Sequence, residues 1–231
     1  MEQSLRCLIT KGTGMKKIGY RLLTLVTAAV LMTGCAGLGS SGGAKPTENS
    51  VMIEKDGSVR WQSVETYEAG DYTEEEMTAF LEQRISDYNS SLGKAASSRN
   101  SEGEQKLPVA LVSVSLESGK AYSVTEYDAA NRLVEFAQEI GDYNVTFSAL
   151  ESGRAAVMGQ QMEGVSFLDE KGKAADSAAV LSDGQRIVVK AEGPGIIKAE
   201  KKIMYVSEGC ELRDSSTVKT PEEGTSFIVI N

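Results

Sequence analysis

The 231-residue sequence contains no histidine. That absence removes the commonest general base, the usual zinc ligand and every Ser-His or Cys-His nucleophile pair. Cysteine is nearly as scarce. Cys7, Cys35 and Cys210 are the three, too few and too scattered for an internal disulfide framework. Basic residues are outnumbered, 24 against 33 acidic ones. Setting aside Arg6, Lys11, Lys16, Lys17, Arg21 and Glu2, which precede Cys35, leaves a net charge of −13 on the rest. Nucleic acid is excluded as a partner, because binding to phosphate backbones draws on clustered Lys and Arg. An anionic bilayer surface repels the same acidic body. With 41% hydrophobic and 25% charged residues, the composition is nevertheless that of a chain able to bury a core.

Long apolar runs are missing too, with one exception. Lys16 and Lys17 precede an apolar stretch from Leu22 to Met32, the pattern of a charged n-region followed by the h-region of an export signal. The stretch is shorter than the ~20 residues a membrane-spanning helix needs. Met15-Lys16-Lys17 makes an ordinary start for such a signal, so the true start is expected at Met15 or Met1. The stretch closes on Leu31, Met32, Thr33, Gly34 and Cys35, which resembles the lipobox of bacterial lipoproteins: an apolar residue, two small ones, then the cysteine that receives lipid. Met32 stands where Leu is more usual. The resemblance implies a diacylglyceryl group on the Cys35 thiol, cleavage directly before it, and palmitate-type acyl chains that hold the protein on the extracytoplasmic face of the cell membrane.

Three regions are therefore expected: a leader and signal over 1–34, the lipidated Cys35 with a flexible Gly/Ser tether over 35–50, and one domain over 51–231. Within the last, Lys55-Asp56-Gly57 between β-prone runs predicts a hairpin. Thr73 with Glu76 forms a capping box, and Met77, Phe80, Leu81, Ile85, Tyr88 and Leu92 then follow at helical spacing up to Gly93. Residues 95–106 read as a polar loop. A second hairpin turns at Glu117-Ser118-Gly119-Lys120, and Asp128 is expected to cap a helix carrying Leu133, Val134, Phe136, Ala137 and Ile140. Ile85-Ser86-Asp87-Tyr88-Asn89 and Ile140-Gly141-Asp142-Tyr143-Asn144 echo each other, each placed after its helix. Short strands follow at Val165 to Leu168, Ala178 to Leu181, Arg186 to Ala191, Gly195 to Ala199, Lys202 to Val206 and Ser226 to Ile230. The expected fold class is α+β: hairpin-helix, hairpin-helix, then a strand-rich C-terminal part packed as one domain.

Candidate chemistry is thin. Ser91-Leu92-Gly93-Lys94 and Ser216-Thr217-Val218-Lys219 both match Ser-x-x-Lys, but the Lys-Thr-Gly and Ser-Asp-Asn companions of that chemistry are absent. Asp56-Gly57 and Asp183-Gly184 lack the surround of a calcium loop, and Glu192-Gly193-Pro194-Gly195 lacks the Lys-Ser/Thr of a phosphate loop. No metal site and no cofactor are expected. Cys210, between Glu208 and Glu211, lacks the electropositive setting of a reactive thiol and reads as a half-buried strand residue. Trp61, Tyr67 and Tyr72 are the candidate ligand-contact aromatics, with core packing as the competing reading.

The stretch from Tyr67 to Asn89, opening Tyr-Glu-Ala-Gly-Asp-Tyr-Thr-Glu-Glu-Glu, resembles small lipoproteins of Gram-positive bacteria to which no activity attaches. The function expected is that of a lipid-anchored, non-enzymatic domain that binds an envelope protein, peptide or glycan. The alternative is an envelope hydrolase using carboxylate or Ser-Lys chemistry.

Overall fold

The computed structural model describes residues 45–68 and 70–231. Asp56 and Gly57 turn β1 (Ser50–Ile53) into β2 (Val59–Thr66). Gly57 supplies a φ of 89°, and the Asp56 carboxylate accepts the Ser58 N–H at 2.9 Å. The second hairpin, β3 (Val109–Glu117) and β4 (Lys120–Tyr127), turns on Ser118 and Gly119, both at positive φ. That is the turn whose twist suits a two-residue hairpin loop. Between the hairpins runs α1 (Glu74–Ser91), whose Thr73/Glu76 capping box is formed in both directions. It buries Met77, Leu81, Ile85, Tyr88 and Asn89. Leu92, expected on that face, is 37% exposed because the helix ends one residue before it.

The remaining elements are α2 (Ala130–Ile140), β5 (Ala149–Arg154), α3 (Ala155–Met158) with a 3-10 turn after it, β6 (Phe167–Asp169), β7 (Ala174–Ala175), α4 (Ser177–Leu181), β8 (Ile187–Glu192), β9 (Gly195–Ala199), β10 (Ile203–Ser207), β11 (Glu211–Leu212), β12 (Thr217–Thr220) and β13 (Thr225–Ile230). They form two sheets, one ordered β11-β12-β9-β1-β2-β4-β3 and the other β5-β8-β13-β10-β6-β7.

This architecture corrects the expected hairpin-helix, hairpin-helix α+β arrangement. The protein is mostly strand, in two sheets, with short helices. The two hairpins do not close separate units with their helices. They join edge to edge, β2 against β4 from Val59↔Tyr127 to Thr66↔Lys120. On its other side β1 accepts β9 in parallel, Val51 opposite Ile197. β9, β11 and β12 are thus joined to the two hairpins in one sheet, while the second sheet is drawn wholly from strands after α2. Two local readings fall as well. Ala178 to Leu181 is not a strand but α4, because the Asp176 carboxylate caps the Ala178 N–H at 2.7 Å. Asp128 does not cap α2; Ala129 stands at that position, and Asp128 lies 3.6 Å from Arg132 instead.

The layering explains the burial pattern. Alternate residues of the seven-stranded sheet, including Val51, Ile53, Val59, Trp61, Leu111 and Ile197, point into the main core. Facing them are α1, α2 and one side of the second sheet, contributed by Leu150, Val189, Ile203 and Ile228. The opposite side of that second sheet, Val188, Phe227 and Val229, packs under Ala155, Met158, Met162 and Val180. Buried on both faces, β13 therefore reads Phe-Ile-Val-Ile without alternation. Fully buried Ile53, Ile85, Leu133 and Ile228 each represent about 2–5 kcal/mol against truncation to Ala.

Candidate functional site

The lipobox residues Leu31, Met32, Thr33 and Gly34 and the lipidation candidate Cys35 lie outside the described residues. The segment that leads back toward them is nevertheless anchored. Glu48 pairs with Arg213 at 3.0 Å and Lys198 at 3.5 Å, and the Asn49 side chain accepts the Val64 N–H at 2.7 Å. Lys45 pairs with Glu117 and lies over the Tyr122 ring. The chain therefore enters the domain beside the β3–β4 turn. Among the described residues no helix is long and apolar enough to cross a membrane.

The two Ser-x-x-Lys matches are separate and locally occupied. Ser91, at the end of α1, donates its hydroxyl to the Tyr88 carbonyl at 2.7 Å, and Lys94 is exposed beyond the helix. Ser216 bonds to the Asp214 carboxylate through both its hydroxyl and its N–H, while Lys219 lies three residues on in β12. Cys210 is half-buried, in the turn after β10 rather than in a strand, with its sulfur 3.6 Å from the Ser207 hydroxyl. An open depression of about 440 Å³ lies between β6, β7 and the start of α4, lined by Ser166, Asp176 and Ser177 among others. Among the described residues no group of three or more His, Cys, Asp or Glu side chains is placed to hold a metal ion.

The three candidate aromatics, by contrast, are drawn to one end of the molecule. Trp61 and Glu65 stand on the inward face of β2, since residues two apart on a strand share a side. Directly after β2 the chain turns, and the Tyr67 ring meets the Tyr72 ring at 5.3 Å, tilted by 33°. From across the layer comes the loop after α2. Its Asn144 amide bonds to the Glu65 carboxylate, and its backbone N–H bonds to Asp142 at 2.9 Å. Gly141, at φ 71° and ψ 37°, ends α2 and sends that loop across.

Burial within this cluster is uneven. Trp61 and Tyr72 are only 5% and 7% exposed, so their ring faces belong to the core. Glu65, Tyr67 and Asn144 are half-buried. Asp142 is half-buried overall with its carboxyl packed inward, and that burial pushes the carboxyl above the ordinary aspartate range; the Asn144 N–H and the facing Trp61 indole pull the other way. Tyr72 is pushed up by burial first and then by the charges of Glu65 and Asp71. The Trp61 Nε1 is directed at the Asp142 carboxyl, whereas the buried Tyr72 Oη closes no hydrogen bond among the described residues. Tyr143, between Asp142 and Asn144, is 71% exposed.

Glu65, Asp142 and Asn144 are the members that sequence reasoning missed. The Asp-Tyr-Asn echo touched two of them, but as a sign of repeated units. The two copies are not equivalent: Asp87-Tyr88-Asn89 lies inside α1, whereas Asp142-Tyr143-Asn144 follows α2. Chemically the cluster sets aromatic rings beside carboxylates that its own Asn144 and Trp61 engage, with the Tyr72 hydroxyl unmatched among the described residues. No family model, curated protein or solved structure matches the chain.

Proposed function

We propose that this protein is a membrane-anchored lipoprotein, held on the extracytoplasmic face of the cell membrane by lipid on Cys35, whose β-rich domain is a non-enzymatic binding module of the cell envelope. The anchor is supported by the Leu31-Met32-Thr33-Gly34-Cys35 pattern behind a short apolar run. The observation that carries the binding reading is the convergence of Trp61, Tyr67 and Tyr72 with Glu65, Asp142 and Asn144 at one end of the fold, where the buried Tyr72 hydroxyl has no hydrogen-bond partner among the described residues. Buried polar groups are ordinarily satisfied, and their exceptions mark places where something else completes the bonding. The hydrolase reading has no comparable support, since each Ser-x-x-Lys serine is engaged with its own neighbours.

Two measurements test this. Palmitate labelling in a bacterial host should mark the wild-type chain and not Cys35→Ala; a variant still labelled would overturn the anchor. Full-length protein in detergent should retain a protein, peptide or glycan from envelope extract, and Tyr72→Phe or Asp142→Asn should reduce that retention. Capture of nothing, or capture indifferent to both substitutions, would overturn the binding reading.

A further inference from the structure

Net charge sets this domain against an anionic bilayer, but the charge is divided unevenly between its faces. In the seven-stranded sheet, Val59, Trp61, Ala121, Tyr127, Ile197 and Val218 point into the main core. The residues between them point the other way, because side chains alternate along a strand. Charged residues on that outward side are Arg60, Lys120, Lys198 and Lys219 against Glu117, Glu126 and Glu211. Four bases against three acids make the face +1, in a chain that carries −13 beyond Cys35, which leaves −14 for everything else. Neither Lys120 nor Lys219 forms an ion pair among the described residues, and Lys198 shares the Glu48 carboxylate with Arg213. Between the bases lie Met52, Val64, Val124 and Ile196, all half-buried. On the helix side of the same sheet, α1 opens instead with Glu74, Glu75 and Glu76.

The anchoring segment arrives on this same face. Lys45 pairs with Glu117 and lies 5.3 Å from the centroid of the outward Tyr122 ring. From there the chain crosses to Glu48, which meets Lys198 and Arg213, and enters β1 at Ser50. Ten residues separate Cys35 from Lys45, a span of at most ~35 Å. Given the lipid on Cys35 proposed above, the face that gathers bases is therefore the one nearest the anchor.

Lipid anchors are commonly reinforced by basic residues at the surface, drawn to anionic headgroups within a Debye length. Lysine stems can also lie along the neighbouring apolar side chains while their ammonium groups reach the headgroups. A soluble acidic partner would find the same charges, but the bilayer is the surface that the ten-residue link keeps within reach at all times. We infer that the outward face of the seven-stranded sheet docks on anionic lipid headgroups, so that the domain lies against the membrane with its acidic surface turned to the envelope.

The experiment reconstitutes full-length, lipid-bearing protein into vesicles of phosphatidylcholine alone and of phosphatidylcholine with phosphatidylglycerol. Flotation with the neutral vesicles reports the anchor. Acetylation of lysine amines, read residue by residue by mass spectrometry, reports the face. Lys120 and Lys219 should be modified about twofold or more slowly on the anionic vesicles, and the difference should vanish in ~1 M salt, where the Debye length falls to ~3 Å. Lys171 and Lys173, exposed in the turn between β6 and β7 of the other sheet, should not change. Lys120 is exposed, so Lys120→Glu spares the core; it should restore the labelling of Lys219 while flotation and melting temperature persist. Flotation with Lys120 and Lys219 labelled equally on both kinds of vesicle would overturn the docking and leave the anchor standing. No flotation on neutral vesicles would remove the anchor and this inference with it. Protection that requires envelope extract rather than phosphatidylglycerol would assign the face to a macromolecular partner and overturn the docking as well.

Discussion

The Asn89 side chain pairs with the Val109 backbone at both ends of its amide, Nδ2 donating to the Val109 carbonyl at 2.8 Å and Oδ1 accepting the Val109 N–H at 3.1 Å. Asn89 is fully buried in α1, and β3 is an edge strand. The amide stands in for the strand that β3 lacks. Its Nδ2 also reaches the Ser97 carbonyl at 2.9 Å, which ties down the start of the polar loop over 95–106. Arg99 continues the protection by reaching the Leu111 and Val112 carbonyls. An exposed edge is an aggregation liability, and here side chains close it.

Asn89→Ala should therefore cost about 2–4 kcal/mol, because it leaves buried backbone groups of Val109 unpaired. Asn89→Asp should be no better, since a buried carboxylate would face two carbonyl oxygens. Urea unfolding measures the cost, and amide exchange at Val109 locates it. A loss below about 1 kcal/mol would show that water replaces the amide.

Asn89 also shows where local reading stops. The Asp56-Gly57 and Ser118-Gly119 turns and the Thr73/Glu76 box are legible because each is decided within a few neighbouring residues. Whether an Asp-Tyr-Asn tripeptide ends up in a helix or a loop turns on the residue before it: Ser86 lets α1 continue, whereas Gly141 adopts the left-handed conformation that stops α2. The parallel pairing of β1 with β9 is illegible for another reason. Alternation marks a strand without naming its partner, and β9 lies far along the chain. The same limit hides Asp142 and Asn144, which meet β2 only after the sheet has assembled, although Trp61, Tyr67 and Tyr72 could be flagged from composition.

Gly193 and Gly195 give a second prediction. Gly193 sits at φ +93°, and a Cβ there would stand 2.7 Å from the Thr146 carbonyl oxygen; a Cβ on Gly195 would collide with the Phe147 ring. Gly193→Ala should destabilise the fold by at least about 2 kcal/mol through backbone strain and contact together. Gly195→Ala should be relieved in part by Phe147→Ala, giving a coupling of about 1 kcal/mol or more in a double-mutant cycle. Strict additivity would mean that the backbone moves aside and that Phe147 does not require the glycine.

Glu48 offers a contrast of scale. Its carboxylate bridges Arg213 and Lys198, but all three side chains are partly exposed. Glu48→Gln should change global stability by less than about 1 kcal/mol, as exposed pairs usually do. Its effect should appear locally, as faster exchange of the Val64 amide that Asn49 accepts. Unaltered exchange would show that the Asn49 bond and the β1–β2 pairing hold this segment without the ion pairs.

Asp142 supplies the pH-dependent test. Its carboxyl titrates above the unfolded value of 3.8, because burial outweighs the bonds from Asn144 and Trp61. Between 3.8 and the raised folded value, the folded chain holds a proton that the unfolded chain has released. Stability therefore falls as pH rises through that window, and the full loss remains above it. Asp142→Asn stays neutral and should escape this loss. The gain of the variant over wild type should increase as pH climbs from 3.8 and then level off. Asp56, Asp169 and Asp214, whose pKa values are lowered, contribute the opposite slope, but equally in both proteins, so the difference isolates Asp142. Urea unfolding at a series of pH values, followed by circular dichroism to spare the Trp61 signal, measures it. A difference that stays flat with pH would show that the Asp142 carboxylate is solvated in the folded protein.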